Sequence, residues 1–190
     1  MSEVKSRPKW GRLAVVPEAA AHLVCAEGVG LDAVAEAFGD HDAAQAAATV
    51  LLAGPTTAAQ AGLTGTRVLS HPSRATAFTA FHAHLDRAKM GTAIYLAGSE
   101  SFLNAASAIA EAHGVVREAL QGEHRGARTR RVQCVHCKGI MEAVAVSPIV
   151  CSHCGVHLMV RDHYSRRLGA FMGVVVDAEA PGVLPQALRL

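Results

Sequence analysis

Two cysteine pairs, Cys134-Val135-His136-Cys137 and Cys151-Ser152-His153-Cys154, stand 13 residues apart and constrain the chain more than any other feature. A two-residue spacer lets a tight turn aim both sulfurs of a pair at one ion, with backbone N–H groups directed at them. Gly155 directly after the second pair, and Gly139 two residues after the first, are expected to supply the positive φ that such turns need. Between the pairs, "GIMEAVAVSPIV" is β-prone and can return the chain as a hairpin. The layout is that of a metal ribbon with Cys134, Cys137, Cys151 and Cys154 as ligands. Two paired turns suit Zn²⁺ and also rubredoxin-like Fe. Rubredoxin turns carry Pro after the first Cys and rubredoxin cores are rich in aromatics, whereas Val135 and Ser152 stand here and aromatics make up 4% of the chain. Zinc is therefore favoured, as a closed structural site, with iron as the alternative. His136 and His153 are expected to point outward rather than to displace a thiolate.

No run approaches the roughly 18–20 uninterrupted apolar residues of a membrane helix, and "MSEVKSRPKWGRLAVV" lacks the apolar core of a signal peptide. The chain therefore reads as cytoplasmic, with no membrane partner. Disulfides rarely persist in the cytosol, which favours metal binding by the four thiols. Cys25, in an apolar run, reads as a small buried hydrophobe. Charge is unevenly spread. Residues 1–123 carry nine Lys/Arg against twelve Asp/Glu, and residues 124–168 carry eight against two, so the cysteine pairs sit in a basic segment suited to an acidic partner.

Upstream, apolar runs alternate with helical patterns. Strands are expected at 22–27, 48–54, 66–71 and 92–98, with a short fifth at 115–120. Helices are expected at 31–38, at 72–89 with Ala77, Phe78, Phe81 and Leu85 on one face, and at 99–114 with Ser99 as N-cap. Alternation of strands apolar on both faces with helices predicts an α/β fold. This would be a parallel sheet of about four to five strands with flanking helices, followed by a small β-rich four-cysteine ribbon. The expected organisation is a lead-in at 1–19, polar and flexible over 1–12, an α/β domain at 20–122 and a basic linker at 123–131. The ribbon follows at 132–176 and a tail at 177–190.

"VCAEGVGLDAVAEAF" and "AIYLAGSESFLNAASAIAEAHGV" resemble the Gly-rich turn and the late strand–Gly–helix segment of the nicotinamide-nucleotide half of ferredoxin reductases. That resemblance makes Gly28, Gly30 and Gly98 candidate dinucleotide contacts. Departures argue against NAD(P) binding. Glu27 stands where that family has Gly, Asp32 where it has Thr, Ala97 where it has Cys and Ser99 where it has Pro, and a carboxylate at Glu27 would repel a pyrophosphate.

"VRDHYSRRLGAFMGVVVDAE" at 160–179 concentrates charge ahead of an apolar run. It reads either as a strand with a solvated turn or as a docking surface of Arg161, His163, Tyr164, Arg166, Arg167 and Phe171, whose Arg forks bind carboxylates. His82 and His84, two apart on a helix, point to different faces and do not form the i, i+4 chelate. No Ser/His/Asp set, P-loop or paired catalytic carboxylates can be read, so no catalytic residue is assigned.

The ribbon together with "RDHYSRRLGAF" (161–171) resembles the small A-type subunit of bacterial dimethylamine monooxygenase, and the α/β half is similar in order and length. The resemblance implies a non-catalytic, accessory subunit of a multicomponent system that demethylates dimethylamine to methylamine and formaldehyde with O₂ and NAD(P)H. Haem would belong to a larger catalytic subunit, and flavin and iron–sulfur electron transfer to a reductase subunit. Two other classes stay open: a nucleic-acid-binding zinc ribbon and a rubredoxin-like iron electron carrier. The acidic first 123 residues and the shortage of stacking aromatics argue against nucleic acid.

Overall fold

A computed structural model describes residues 8–55 and 62–190, so the first seven residues of the expected lead-in lie outside the described residues. The chain forms two compact units, one spanning Trp10–Ala127 and the other including Arg128–Leu190.

The first unit is built on five strands: β1 Ala21–Glu27, β2 Ala48–Ala53, β3 Arg67–His71, β4 Thr92–Gly98 and β5 Leu120–His124. All pair in parallel, in the spatial order β3-β2-β1-β4-β5. The expected parallel α/β sheet is present. Its strands succeed one another outward from β1 to β3, and the next connection then crosses back to β4. This puts the topological switch point between β1 and β4.

Helix α1 (Gly30–Phe38) buries Leu31, Val34 and Phe38 against one face, where they meet Val24, Val50, Leu52 and Tyr95. Helices α3 (Arg74–Leu85) and α4 (Glu100–Ala112) cover the other face through Ala77, Phe81, Phe102, Leu103 and Ala106. The short α2 (Asp42–Ala46) has no counterpart among the expected helices. A capping box explains why α3 starts where it does. Ser73 accepts from the Thr76 N–H, and the Thr76 hydroxyl accepts from the Ser73 N–H, an arrangement worth about 1 kcal/mol.

The expected strand at 115–120 is displaced. Residues 117–119 make one 3₁₀ turn, and the fifth strand follows at Leu120–His124, running two residues into the expected linker. Its polar composition hides it. Glu123 is buried because the Leu13 N–H donates to Oε2 at 2.8 Å and Arg125 Nε donates to Oε1 at 2.8 Å. Part of the expected lead-in is a strap along this strand. The Gly11 N–H donates to the Gly122 carbonyl, the Ala14 N–H to Gln121 Oε1 and the Val16 N–H to the Tyr95 hydroxyl. Gly122 admits the Trp10 ring, which lies 2.3 Å from where a Cβ would be.

The second unit is a β ribbon of β6 Arg130–Cys134, β7 Ile140–Val144, β9 Ile149–Val150, β10 His157–Ser165 and β11 Ala170–Val175, in the order β7-β6-β11-β10-β9. β6 runs parallel to β11, and the other pairs are antiparallel. Two-residue β8 (Val146–Ser147) pairs with β12 (Leu188–Arg189), which draws the end of the chain back onto the ribbon. The core is small: Val132, Met141, Val144, Leu158, Val160, Tyr164 and Phe171, with Cys134 and Cys151 buried at its edge.

Candidate metal centre and sheet-end crevice

Each cysteine pair sits on a knuckle that leaves a strand, and the two knuckles repeat one hydrogen-bond scheme. In the first, the Lys138 N–H donates to the Cys134 carbonyl and the Cys134 N–H to the Gly139 carbonyl. In the second, the Gly155 N–H donates to the Cys151 carbonyl and the Cys151 N–H to the Val156 carbonyl. Gly155 has the expected positive φ of 77°. In the first knuckle, however, Lys138 occupies that conformation, at φ 64°, and Gly139 does not. Gly139 is needed for space: a Cβ there would lie 2.5 Å from His153 Cδ2. The His153 ring crosses from one knuckle to the other and makes a 3.0 Å hydrogen bond from Nε2 to the Ile140 carbonyl. His136 is exposed.

The four ligand atoms, one sulfur from each of Cys134, Cys137, Cys151 and Cys154, all lie within 4.8 Å of one another. The Cys134–Cys154 and Cys137–Cys151 sulfurs are 3.9 and 3.8 Å apart. A disulfide needs about 2.05 Å, whereas four sulfurs about 2.3 Å from a central ion in a tetrahedron are about 3.8 Å apart. The donor set and its spacing therefore fit one tetrahedral ion. The Gly139 N–H reaches Cys137 Sγ at 3.4 Å. Burial raises the Cys151 thiol, but the N–H groups of His153 and Cys154 and the neighbouring sulfurs outweigh it and bring it down to about 7. At Cys154 the Val156 N–H favours the thiolate, yet burial and the other three sulfurs push the thiol up to about 12. One sulfur thus ionises readily and resists ionisation of the next. A cation in the middle removes that conflict.

Of the residues read as a docking surface, Arg161, His163, Arg166 and Arg167 are exposed. Tyr164 and Phe171 do not face outward. They are 4% and 0% exposed, their rings lie 5.0 Å apart, and the Arg130 guanidinium stacks 4.5 Å above Phe171. Between Arg161 and Tyr164 the β10–β11 register jumps, because Arg161 faces Met172 while Tyr164 faces Phe171. Asp162 and His163 therefore stand in a bulge, and Asp162 accepts from Arg130 Nη1 at 2.9 Å.

At the switch point of the first unit, the three candidate glycines serve backbone packing. Gly28 has φ 49°. A Cβ at Gly30 would lie 2.3 Å from the Ala97 carbonyl oxygen, so α1 can approach β4 only with glycine there. Gly98, at φ 154°, leaves room for Glu27 and Phe102. Beside them is a cleft of about 300 Å³ lined in part by Glu27, Gly54, Pro72 and Arg74. The Glu27 carboxylate accepts from Arg74 Nη2 at 2.9 Å and from the Ser99 hydroxyl at 2.8 Å, and a second Arg74–Glu27 contact runs through Nε. Ser73 and Ser99 cap α3 and α4, so this carboxylate lies where two helix N-termini converge. A doubly wound sheet holds its ligand's phosphate at such a place. Here a side chain of the protein already meets the donors. Sequence reading singled out Glu27 but missed Arg74, 47 residues further along. The signal available was Arg74 directly after the N-cap Ser73.

Residues 2–120 match the family model described as dimethylamine monooxygenase subunit DmmA-like, N-terminal domain, and residues 131–174 match the corresponding C-terminal domain. The heme-dependent oxidative N-demethylase delta subunit of Ectopseudomonas mendocina (strain ymp) is 39% identical over 103 residues. The match spans 53% of this chain and 59% of that protein. No solved structure matches the chain. With one family model covering more than half of its length and a second covering the ribbon, the chain belongs to the DmmA-like family of dimethylamine monooxygenase subunits.

Proposed function

We propose that this chain is a non-catalytic subunit of a haem-dependent amine demethylase that oxidises dimethylamine to methylamine and formaldehyde. Haem would reside on a larger catalytic subunit, and flavin and iron–sulfur centres on a reductase subunit. The observation that carries the reading is the match of both halves of the chain, in order, to the two DmmA-like domains. The delta subunit of the relative supports it, since that protein is named as part of a heme-dependent oxidative N-demethylase.

The ribbon's part in this reading is structural. Cys134, Cys137, Cys151 and Cys154 hold one Zn²⁺, and all four coordination positions are filled by protein. A structural zinc site contributes on the order of 10 kcal/mol to folding, which a core this small needs. Exposed Arg161, His163, Arg166 and Arg167 then form a basic patch for carboxylates of the catalytic or reductase subunit. The α/β unit acts as a second docking body and does not take NAD(P), because Glu27 already engages Arg74 and Ser99. On this reading the working location is the cytoplasm. Among the described residues, no helix is long and apolar enough to cross a membrane.

Affinity purification of the tagged chain, co-expressed with the genes beside its own, tests the assignment. The expected result is recovery of a haem protein and a flavin reductase, and loss of at least one of them when Arg161, Arg166 and Arg167 are changed to Glu together. Recovery of neither would overturn it. Metal analysis with a visible spectrum separates zinc from iron, since ferric tetrathiolate is coloured and Zn²⁺ is not.

A further inference from the structure

Helix α3 ends at Leu85, whose side chain joins Leu23 and Ile94 in the core of the first unit. Toward the amino ends of the strands, the next positions on that face are small or polar. Leu23 pairs with Thr49 and Ala21 with Thr92, so all four side chains share the face that α3 covers. Such rows normally carry large apolar residues. Here Ala21, Ala47, Thr49 and Thr92 leave a cavity of about 380 Å³, at the end of the sheet opposite the Glu27 crevice. The turn that follows α3 walls it with Arg87, Lys89 and Met90, and Met90 stands 99% exposed at the mouth. That wall is pinned at both ends. The Arg87 and Ala88 N–H groups donate to the His84 and Leu85 carbonyls, the Thr92 N–H to the Lys89 carbonyl and the Ala20 N–H to the Gly91 carbonyl.

The charged lining has one sign. His84, Arg87 and Lys89 line the cavity and no Asp or Glu does, although residues 1–123 carry more acidic than basic side chains. Among the described residues neither Arg87 nor Lys89 makes an ion pair, and neighbouring Asp86 is engaged by His113 at 3.1 Å. Arg67 pairs with Thr49 from β3 and adds to the field: after burial, it is Arg87, Arg67 and His71 that lower the pKa of His84. The α3 carbonyls that would repel an anion, those of His82, His84 and Leu85, are taken up by the N–H groups of Asp86, Arg87 and Ala88. An apolar hollow with two hydroxyls in its lining and a guanidinium and an ammonium in its wall suits a small ligand with an anionic head. We propose that this cavity binds a small organic acid, its carboxylate or phosphate held by Arg87 and Lys89 and its short apolar body laid against Ala21, Leu23 and Ala47. The site stands apart from the ribbon and does not depend on the metal.

The test is an NMR titration of the full-length, metal-loaded chain with hexanoate and with butyl phosphate, and with hexanamide as the neutral control. At least one acid should bind saturably below about 10 mM, with amide shifts concentrated at 20–23, 47–49 and 84–92. The tighter of the two identifies the head group. Hexanamide should bind at least about tenfold more weakly, and Arg87→Gln combined with Lys89→Gln should weaken the acid by a similar factor. Arg128→Gln, which removes an exposed charge elsewhere, should change nothing. Ala21→Leu fills the hollow while keeping every charge, and should abolish binding. Trp10 emission checks folding, and Ala88→Trp at the exposed mouth closes the cavity instead if Ala21→Leu does not fold. The proposal is overturned if the native chain binds neither acid, if hexanamide binds as well as the acids, or if binding survives in a folded, filled variant. Binding of an acidic peptide but of neither acid would also overturn it, making the cavity part of a protein interface.

Discussion

A single residue shows both how far the metal centre can be read from sequence and where the reading stops. The two Cys-x₂-Cys pairs announce four ligands, and the structure brings their sulfurs together. Glycine is the usual occupant of positive φ, so the sequence points to Gly139, whereas the left-handed conformation belongs to Lys138. Superposing the pairs as an internal repeat sets Cys134 on Cys151 and therefore Lys138 on Gly155, both four residues after the first cysteine of their pair. Gly139 falls on Val156 instead, and only the path of His153 explains why it must be small. This has a measurable consequence. In Gly139→Ala the new methyl displaces the His153 ring and breaks its bond to the Ile140 carbonyl, at a cost of about 1 kcal/mol. His153→Ala should cost a similar amount. The double variant should cost little more than either single one, because the ring is gone and only the Cβ at 153, 3.0 Å from the new methyl, has to give by a few tenths of an ångström. Competition for the metal against a colorimetric chelator reads the cycle, and additive losses would show that the ring and the methyl do not meet.

At the level of elements, three of the five strands in the sheet, β1, β2 and β4, are plain in the sequence because they are buried on both faces and read as apolar runs. β3 is a shorter, more exposed case that its flanking turns still reveal. β5 is hidden. Its Glu123 and Gln121 are satisfied by the backbone of residues more than 100 positions away, a pairing that no local window contains. A second long-range device lies at the start of β1. His22 is 3% exposed, its Nδ1 lies 3.0 Å from the Tyr95 hydroxyl, and its ring meets Phe38 edge-on at 5.5 Å. Burial lowers its pKa below the ordinary 6.5, and burial likewise raises that of Tyr95. The unfolded chain therefore binds the His22 proton more readily than the folded one. Stability from this residue is complete above about pH 6.5 and is lost as pH falls from there through the folded pKa. His84, whose pKa is lowered by burial and then by Arg87, Arg67 and His71, adds to the same trend. Urea midpoints followed by Trp10 emission should fall between pH 7.5 and pH 5.5. In His22→Gln, which keeps an acceptor for Tyr95 but does not titrate, the fall should be shallower. An unchanged slope would remove His22 from the account.

For the whole molecule, the decisive contrast is between the two units' means of staying folded. The first has two large apolar clusters on either side of its sheet, whereas the second has one small cluster bordered by the ligand cysteines. Thiol chemistry can read that difference because the five cysteines are divided between the units. Cys25 lies in β1 at 0% exposure, and burial, reinforced by the Glu27 charge, pushes its thiol far up, so it stays protonated and unreactive while the sheet is intact. On the proposed function, the other four hold one ion between them. Stripping the metal with a strong chelator in the absence of denaturant should therefore make four thiols available to a disulfide reagent and leave the fifth silent. Hydrogen-exchange protection should collapse across 130–175 and persist across 21–124. Trp10 packs on Gly122 in the first unit, so its emission should not move until denaturant is added, when the fifth thiol appears with it. Cys151→Ser should reach the same half-folded state without chelator, because loss of one ligand forfeits most of the metal's contribution to folding. If five thiols react together, or if Trp10 shifts as the metal leaves, the two units share one folding transition and the ion supports more than the ribbon.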